Sequence, residues 1–187
     1  MSAEDRTRWD ARYAGRSVAG AIGPAEEFAA FADVFPVSGR AVDIACGQGT
    51  GAVWLARRGL SVTGYDISPV AVAQARDVAE RHGVGDRCRF DVVDLDDGLP
   101  DGPPADVVYC ARFRDRRLDA PMVRRLAPGG LLAVTALSQV GSTPGRFRAA
   151  PGELRAAFPG VEVIADGEAD GWAWLLARRH GAVAPPG

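Results

Sequence analysis

Ala41-Val-Asp43-Ile-Ala-Cys46-Gly47-Gln-Gly49-Thr-Gly51 is the stretch on which the fold turns. An apolar run carrying Asp43 passes into three glycines within five positions, and Val53, Trp54 and Leu55 then follow on a helical pattern. Glycines at the end of a buried strand let the backbone turn tightly and approach a ligand closely. Gly47-x-Gly49-x-x-Ala52 also satisfies the dinucleotide fingerprint, so the loop alone admits more than one ligand class.

Working outward, the grain is strand–helix alternation. Strands are expected at 40–45, 60–65, 87–93, 106–110, 131–137, 161–165 and 171–179. Helices are expected at 50–58, at 68–81 and at 152–158, with a short one marked by Leu118, Met122 and Leu126 and halted by Pro128-Gly129-Gly130. Ser68 as N-cap, Pro69 at the first helical position and Gly83 as a stop bound the second helix. Upstream, 25–35 reads as a short helix with Phe28, Phe31 and Phe35 on one side, and Trp9 and Tyr13 stand one helical turn apart in a polar segment. Alternating β and α predicts a mostly parallel sheet with helices on both faces. The last two strands are joined by the polar residues 166–170, too short for a helical crossover, so the sheet should end in a hairpin with one reversed strand. A loop rich in Gly, Ser, Thr and Pro covers 138–150.

Composition excludes several chemistries. The 187 residues are 47% apolar and 25% charged, a globular balance with room for one substantial core. Net charge is -2, which argues against a broad basic surface for nucleic acid. The most apolar run, 131–137, is far short of the ~20 residues of a membrane span. The first residues hold no apolar segment of signal-peptide type, and three cysteines (46, 88 and 110) form no disulfide framework, so a cytoplasmic protein is expected. All 22 basic residues are Arg, which removes a Schiff-base lysine and a Walker-type lysine. Two histidines, His82 and His180, leave little for a Ser-His-Asp triad, and no metal-ligand spacing is present. His82 reads as a helix C-terminal residue, and Arg57-Arg58 and Arg178-Arg179 as solvated faces.

Two further signals accompany the glycines. Asp66, in Tyr65-Asp66-Ile67 at the end of the second strand, lies 19 positions after Gly47, near the ~20 expected of a ribose-binding carboxylate. Since Ser68 already serves as helix cap, Asp66 is free for a ligand role. Asp94-Leu95-Asp96 follows the third strand; Asp94 can accept from an exocyclic amine and Leu95 can cover an aromatic base, while Asp96 and Asp97 read as a solvated turn.

These motifs, with Ala105-Asp106-Val-Val-Tyr109 and Leu126-Ala-Pro-Gly-Gly130, stand in an order that resembles the class I S-adenosylmethionine (SAM)-dependent methyltransferases over roughly residues 36–180. The resemblance implies a seven-stranded Rossmann-like sheet with a reversed C-terminal strand, and SAM as cofactor with S-adenosylhomocysteine (SAH) as product. It implies that the glycine loop holds the methionine part, that Asp66 takes both ribose hydroxyls and that Asp94 reaches the adenine amine. The cofactor set so implied is Trp9, Tyr13, Asp43, Ala45, Gly47, Gly49, Asp66, Ile67, Asp94, Leu95 and Cys110. A narrower likeness is to the small tellurite-resistance-type methyltransferases, through Trp9-Asp-Ala-Arg12-Tyr13, Ala52-Val-Trp54-Leu-Ala-Arg-Arg-Gly59 and Pro151-Gly-Glu-Leu154. Relatives often carry an aromatic-Leu-His-Arg stretch after the fourth strand; here it reads Phe113-Arg114-Asp115-Arg116, without the His.

Residues 1–35 are therefore expected to be a helical lid or extension, and 36–181 the SAM-binding domain. Methyl transfer from a sulfonium needs alignment and exclusion of water more than an enzymic nucleophile, which suits a chain without triad, lysine or metal. The expected acceptor is a small molecule, not nucleic acid or a membrane, and possession of Arg112 and Arg148 beside Phe113 and Phe147 favours an anionic or oxyanion-bearing one. Cys46 and Cys110 are weighed as a soft metalloid pair against simple packing, which is favoured. Two other functions remain open on sequence alone. One is an NAD-dependent oxidoreductase, which leaves Asp43, Asp94 and the terminal hairpin unexplained. The other is a SAM-binding module without turnover.

Overall fold

A computed structural model describes residues 3–15, 22–142 and 148–181. After helix α1 (Ala3–Tyr13) and a 3-10 helix (Glu26–Val34) come β1 (Arg40–Ile44), α2 (Thr50–Arg57), β2 (Ser61–Asp66), α3 (Pro69–Arg81), β3 (Cys88–Val92), β4 (Ala105–Cys110), α4 (Asp119–Arg125), β5 (Leu126–Ser138), β6 (Arg148–Ala149), α5 (Glu153–Ala157), β7 (Val161–Ala169) and β8 (Trp172–Arg179). The sheet runs β3-β2-β1-β4-β5-β8-β7, with the two-residue β6 beside β5. The β3-to-β5 strands are parallel neighbours, and β8 lies antiparallel to both β5 and β7. This is the expected Rossmann-like sheet, reversed strand included.

Both faces of the sheet are covered. On one, Phe28 and Phe35 pack with α2 and α3 through Val53, Leu55, Val72 and Val78. On the other, Leu118, Met122, Leu154 and Phe158 pack over Val42, Ile44 and Val108. Phe28 is fully buried, with Tyr109 and Trp174 edge-on at 6.1 and 6.4 Å. Burying such a ring stabilises the fold by roughly 1.5–3 kcal/mol. Helix α3 starts as its sequence predicts: Ser68 accepts from the Ala71 N–H at 3.1 Å and Pro69 stands at the first position.

Three expectations need correction. First, β5 begins at Leu126, not 131: α4 ends in extended backbone at Leu126, because the residues before Pro128 disfavour helix. Pro128-Gly129-Gly130 then forms an irregularity in which Ala105 faces Leu126 and Val107 already faces Leu131. Arg178 donates to the Gly129 carbonyl at 2.9 Å and Arg179 to that of Leu126, so this pair clamps the irregularity and is no solvated face. Second, the terminal hairpin has a two-residue turn. Asp170 and Gly171 have φ of 51 and 81°, as a type I′ turn requires, and β7 continues to Ala169. Residues 166–168 are therefore part of an edge strand, with Asp166 exposed and Gly167 and Glu168 half-buried. Third, Arg58 lies over Trp54 at 5.4 Å and donates to the Phe35 carbonyl at 2.8 Å, tying the 3-10 helix to α2.

Candidate functional site

Strand order makes β1 and β4 neighbours while the chain leaves them toward opposite faces, the switch point at which open α/β sheets bind ligands. The carboxyl ends of β1, β2, β3 and β4 deliver the glycine loop, Asp66, Asp94 and Arg112 to one rim of the sheet.

The glycine loop is fixed by backbone contacts. Cys46 N–H donates to the Tyr65 carbonyl and Gly49 N–H to that of Cys46, both at 2.9 Å. Ala45 has φ 54°, a left-handed backbone that costs an Ala roughly 1–2 kcal/mol, and strain of this kind concentrates at binding sites. Gly47 and Gly49 are left-handed for different reasons. A Cβ on Gly49 would come 2.8 Å from Ala75 Cβ, so this glycine lets α2 and α3 approach. A Cβ on Gly47 would meet the Tyr13 hydroxyl at 2.9 Å, so this one faces the covering helix α1. Gly49 thus has a packing role beside the cofactor role expected of it in the sequence.

Asp66 is only 6% exposed. One carboxylate oxygen accepts from Gly47 N–H at 2.8 Å and the other from Ser68 N–H at 2.9 Å. Burial pushes its pKa up, the backbone donors hold it down, and Asp10 adds a further upward push. Ile67 and Leu95 are buried beside it at 2% and 1% exposure. Asp94 accepts from Asp96 N–H at 3.0 Å, which shapes the turn carrying Leu95.

Helix α1 docks across this rim. Ser68 Oγ donates to Asp10 Oδ1, Gln74 Nε2 donates to the Tyr13 carbonyl at 3.1 Å, and Trp9 stacks on Tyr13 with centroids 5.9 Å apart. Ser68 thus serves two elements at once, capping α3 and anchoring α1. Its cap was legible in the sequence; its bond to a residue 58 positions away was not.

Beneath the loop, Asp43 is 3% exposed and accepts from the Ala52 N–H. Burial pushes its pKa up to about 8, with Asp66 adding to the rise. A carboxyl raised in the folded state stabilises the protein at low pH, and that contribution is lost as pH rises from the ordinary value of 3.8 through about 8. Thermal melts should therefore show a melting temperature falling across this range, and Asp43→Asn should flatten the fall. An unchanged slope in the variant would refute the assignment.

The acceptor-side expectations divide. Arg112, at φ 60°, donates its N–H to Thr135 Oγ1 at 2.9 Å and lays its guanidinium over Trp172 at 5.3 Å. Arg148 instead donates to the Ser138 carbonyl at 2.7 Å and points toward that of Gly171, holding the end of β5 to the hairpin turn. Arg114, with a side chain 4% exposed, bridges Asp119 and Glu153, and Arg116 joins it on Glu153. The late Pro151–Leu154 segment thereby anchors the loop after β4. Cys110 and Phe113 pack on the α4–α5 face, while Cys46 packs on the other, so no Cys46–Cys110 pair exists. Burial pushes the Cys110 thiol up, as suits a packing role. Phe147 lies outside the described residues. Among these no cluster of His, Cys, Asp or Glu forms a metal site, and no helix is long and apolar enough to cross a membrane. Trp172 and Thr135 had no signal in local sequence, because each reaches Arg112 only through strand register.

Comparison with known proteins gives a consistent picture. Residues 41–130 match a family described as a methyltransferase domain. The methyltransferase GfsG of Streptomyces halstedii is 33% identical over 102 residues, which is 51% of this chain and 36% of that protein. The chain spans between about a quarter and a little over a third of the curated relatives it matches. Among solved structures, TehB from Haemophilus influenzae superposes with a TM-score of 0.70 at 19% identity, covering 82% of this chain and 61% of that one. A SAM-dependent methyltransferase from Mesorhizobium loti gives 0.71 at 19% identity, covering 85% and 100%.

Proposed function

We propose that the protein is a class I SAM-dependent methyltransferase, as the match of residues 41–130 to a methyltransferase domain supports, and that it transfers a methyl group from SAM to a small-molecule acceptor. The observation that carries this reading is Asp66. It is a buried carboxylate at the end of β2, oriented by two backbone N–H groups, and each oxygen keeps lone-pair capacity for a further donor. The groups around it fit the cofactor. Gly47 offers bare backbone under Tyr13, Asp43 offers a carboxyl below the loop, and Ile67 and Leu95 offer apolar surface for a base. When bound, SAM supplies an activated methyl that needs no enzymic nucleophile. The chain's own work is to hold, align and keep water out.

Residues 1–35 serve in this reading as a lid and extension of the 36–181 domain, with α1 as the lid and Phe28 and Phe35 packed into the core. Tyr13 closes over Gly47 and the Ser68–Asp10 bond latches α1 to the cap of α3, so α1 swings away to admit cofactor and closes behind it. Arg112 borders the acceptor and gives an anionic group a partner.

Calorimetric titration separates this proposal from its rival: SAM and SAH bind, and NAD does not. Detection of SAH after turnover excludes a module that binds without reacting. Arg6, Arg8 and Arg12 make α1 a trypsin substrate, and saturating SAH should slow its cleavage several-fold. Removing residues 1–15 should leave the melting transition cooperative while turnover drops by an order of magnitude or more, roughly the scale of losing a closing element. Cleavage at the same rate with and without SAH refutes the cover.

A further inference from the structure

An arginine-lined cavity stands at the far end of the sheet from the cofactor rim. Between β3 and β4 the chain must pass over β2 and β1, because the strands lie in the order β3-β2-β1-β4. Such a crossover in a parallel sheet is ordinarily a helix that covers the face. Here residues 93–104 hold only a 3-10 turn, Leu95–Asp97, followed by Gly98-Leu-Pro100-Asp-Gly102-Pro-Pro104, whose prolines and glycines break a helix. Leu95 and Leu99 keep the segment on the face shared with α4 and α5. With no helix in this layer, a cavity of about 320 Å³ opens beside the starts of β1, β2, β3 and β4. Ser61, which lines it, begins β2, and Asp66 ends that strand roughly 16 Å away at the rise of a β-strand.

Arg40, Arg87, Arg89 and Arg125 line this cavity, and Asp86 is the one carboxylate among the lining residues. Strand register gathers the group. Arg40 stands opposite Ser61, and Val42, Thr63 and Arg89 form one row across β1, β2 and β3. Val42 and Tyr65 belong to the α4–α5 face and Phe90 to the other, so alternation puts Arg40, Ser61, Thr63 and Arg89 on the side where the helix is missing. Arg40, Arg87 and Arg89 are exposed, and their guanidiniums keep donors to spare. Arg40 uses only its backbone N–H, on Asp106; its guanidinium makes no hydrogen bond or ion pair among the described residues. Arg87 gives one N–H to the Gly59 carbonyl at 3.2 Å. Arg89 pairs with Asp91 at 2.9 Å in an exposed contact, weak enough for a stronger anion to displace. Arg125 is half-buried and donates to the Pro100 carbonyl at 2.8 Å; Gly102 makes room for it, since a Cβ there would come 2.3 Å from the guanidinium. Four guanidiniums against Asp86, with Asp91 and Asp106 at the border, leave a positive cavity on a chain of net charge -2. Arginine forks match phosphate oxygens with paired N–H bonds, and the hydroxyls of Ser61 and Thr63 add uncharged donors. The volume is near the small end of the roughly 300–1,000 Å³ usual for ligand pockets, which calls for a compact ligand. We infer that this cavity is a binding site for a small phosphate-bearing anion of about the size of pyrophosphate, separate from the cofactor site.

The inference stands apart from the methyl-transfer reading, and its test needs no turnover. The whole chain is titrated with pyrophosphate, sulfate and acetate in buffer free of divalent cations, by calorimetry and by amide NMR. Pyrophosphate should bind at least about tenfold more tightly than sulfate, and acetate most weakly. It should shift the amide signals of Ser61, Thr63 and Arg89 and leave those of Gly47 and Asp66 in place. Arg40→Gln should weaken pyrophosphate about tenfold, the scale of one charge-assisted contact. Ser61→Glu sets a carboxylate in the cavity and should abolish binding. Both positions are exposed, so the melting temperature should hold, and Arg40→Gln decides alone if Ser61→Glu fails to fold. Arg57→Gln removes the same charge at an exposed position outside the cavity and should change nothing. No binding of pyrophosphate, equal affinity for pyrophosphate and sulfate, or equal weakening by Arg57→Gln and Arg40→Gln overturns the inference. So do shifts centred on Gly47 and Asp66, or competition with saturating SAH, either of which puts the anion at the cofactor rim instead.

Discussion

Asp66→Ala lowers SAH affinity by about 10- to 150-fold, corresponding to about 1.5–3 kcal/mol for hydrogen bonds to a charged group. The structure adds a second effect. With the carboxylate gone, the N–H groups of Gly47 and Ser68 lose their partners, at 2.8 and 2.9 Å, so the glycine loop and the start of α3 loosen together. Each buried donor left unpaired costs about 1–3 kcal/mol, which should be visible in urea melts of the unliganded protein. Asp66→Asn is informative here. Both carboxylate oxygens accept from backbone N–H groups, so an amide places one NH2 against a donor and cannot satisfy both. It should therefore behave nearly as badly as Ala. Unchanged SAH affinity in a folded Asp66→Ala variant refutes the ribose assignment, and Asn behaving like wild type refutes the two-donor grip.

The other large effect is expected at Gly49. Gly49→Val puts a β-branched residue at φ 77° and drives its Cβ to 2.8 Å from Ala75 Cβ and 3.2 Å from Ala75 Cα. Backbone contact on α3 leaves no flexible end to give way. We expect a loss of at least about 3 kcal/mol in stability, since overpacking and left-handed strain add. Gly47→Ala is the control. It meets only the Tyr13 hydroxyl, the mobile tip of a side chain on α1, at 2.9 Å. It should keep most of the stability, unseat α1 and weaken SAH binding. If Gly49→Val melts like wild type, the α2–α3 approach is not what this glycine serves.

Legibility of the molecule followed the range of its interactions. The α3 cap, the reversed strand and the order of the rim residues were readable, because each depends on neighbours in sequence or on alternation along a strand. The start of β5 was not. Pro128 disfavours helix locally, but the pairing of its first residues with β4 is held by Arg178 and Arg179, more than forty positions away, which donate to the Gly129 and Leu126 carbonyls. The hairpin turn was present as Asp170-Gly171, but the acidic residues before it read as loop when they are paired within a strand. At the site, Asp66 announced itself by spacing. Arg148 carried the same charge as Arg112 and an equal claim from sequence, and only tertiary contacts separate them, one holding carbonyls and the other resting on an indole.

The outer side of β7 has a consequence for how copies of the protein meet. The strand is nine residues long and closes one end of the sheet, which leaves a row of backbone groups able to recruit another chain. Glu162, Ile164 and Asp166 project outward in alternation, and the register slips between Val163 and Ala165. An antiparallel pairing of two copies centred on Ile164 would have to run across a kinked ladder, with Glu162 of each beside the Asp166–Arg155 ion pair of the other. The edge is thereby guarded by misfit, and the large apolar residue it shows to water, Ile164, sits where a second sheet cannot profit from it.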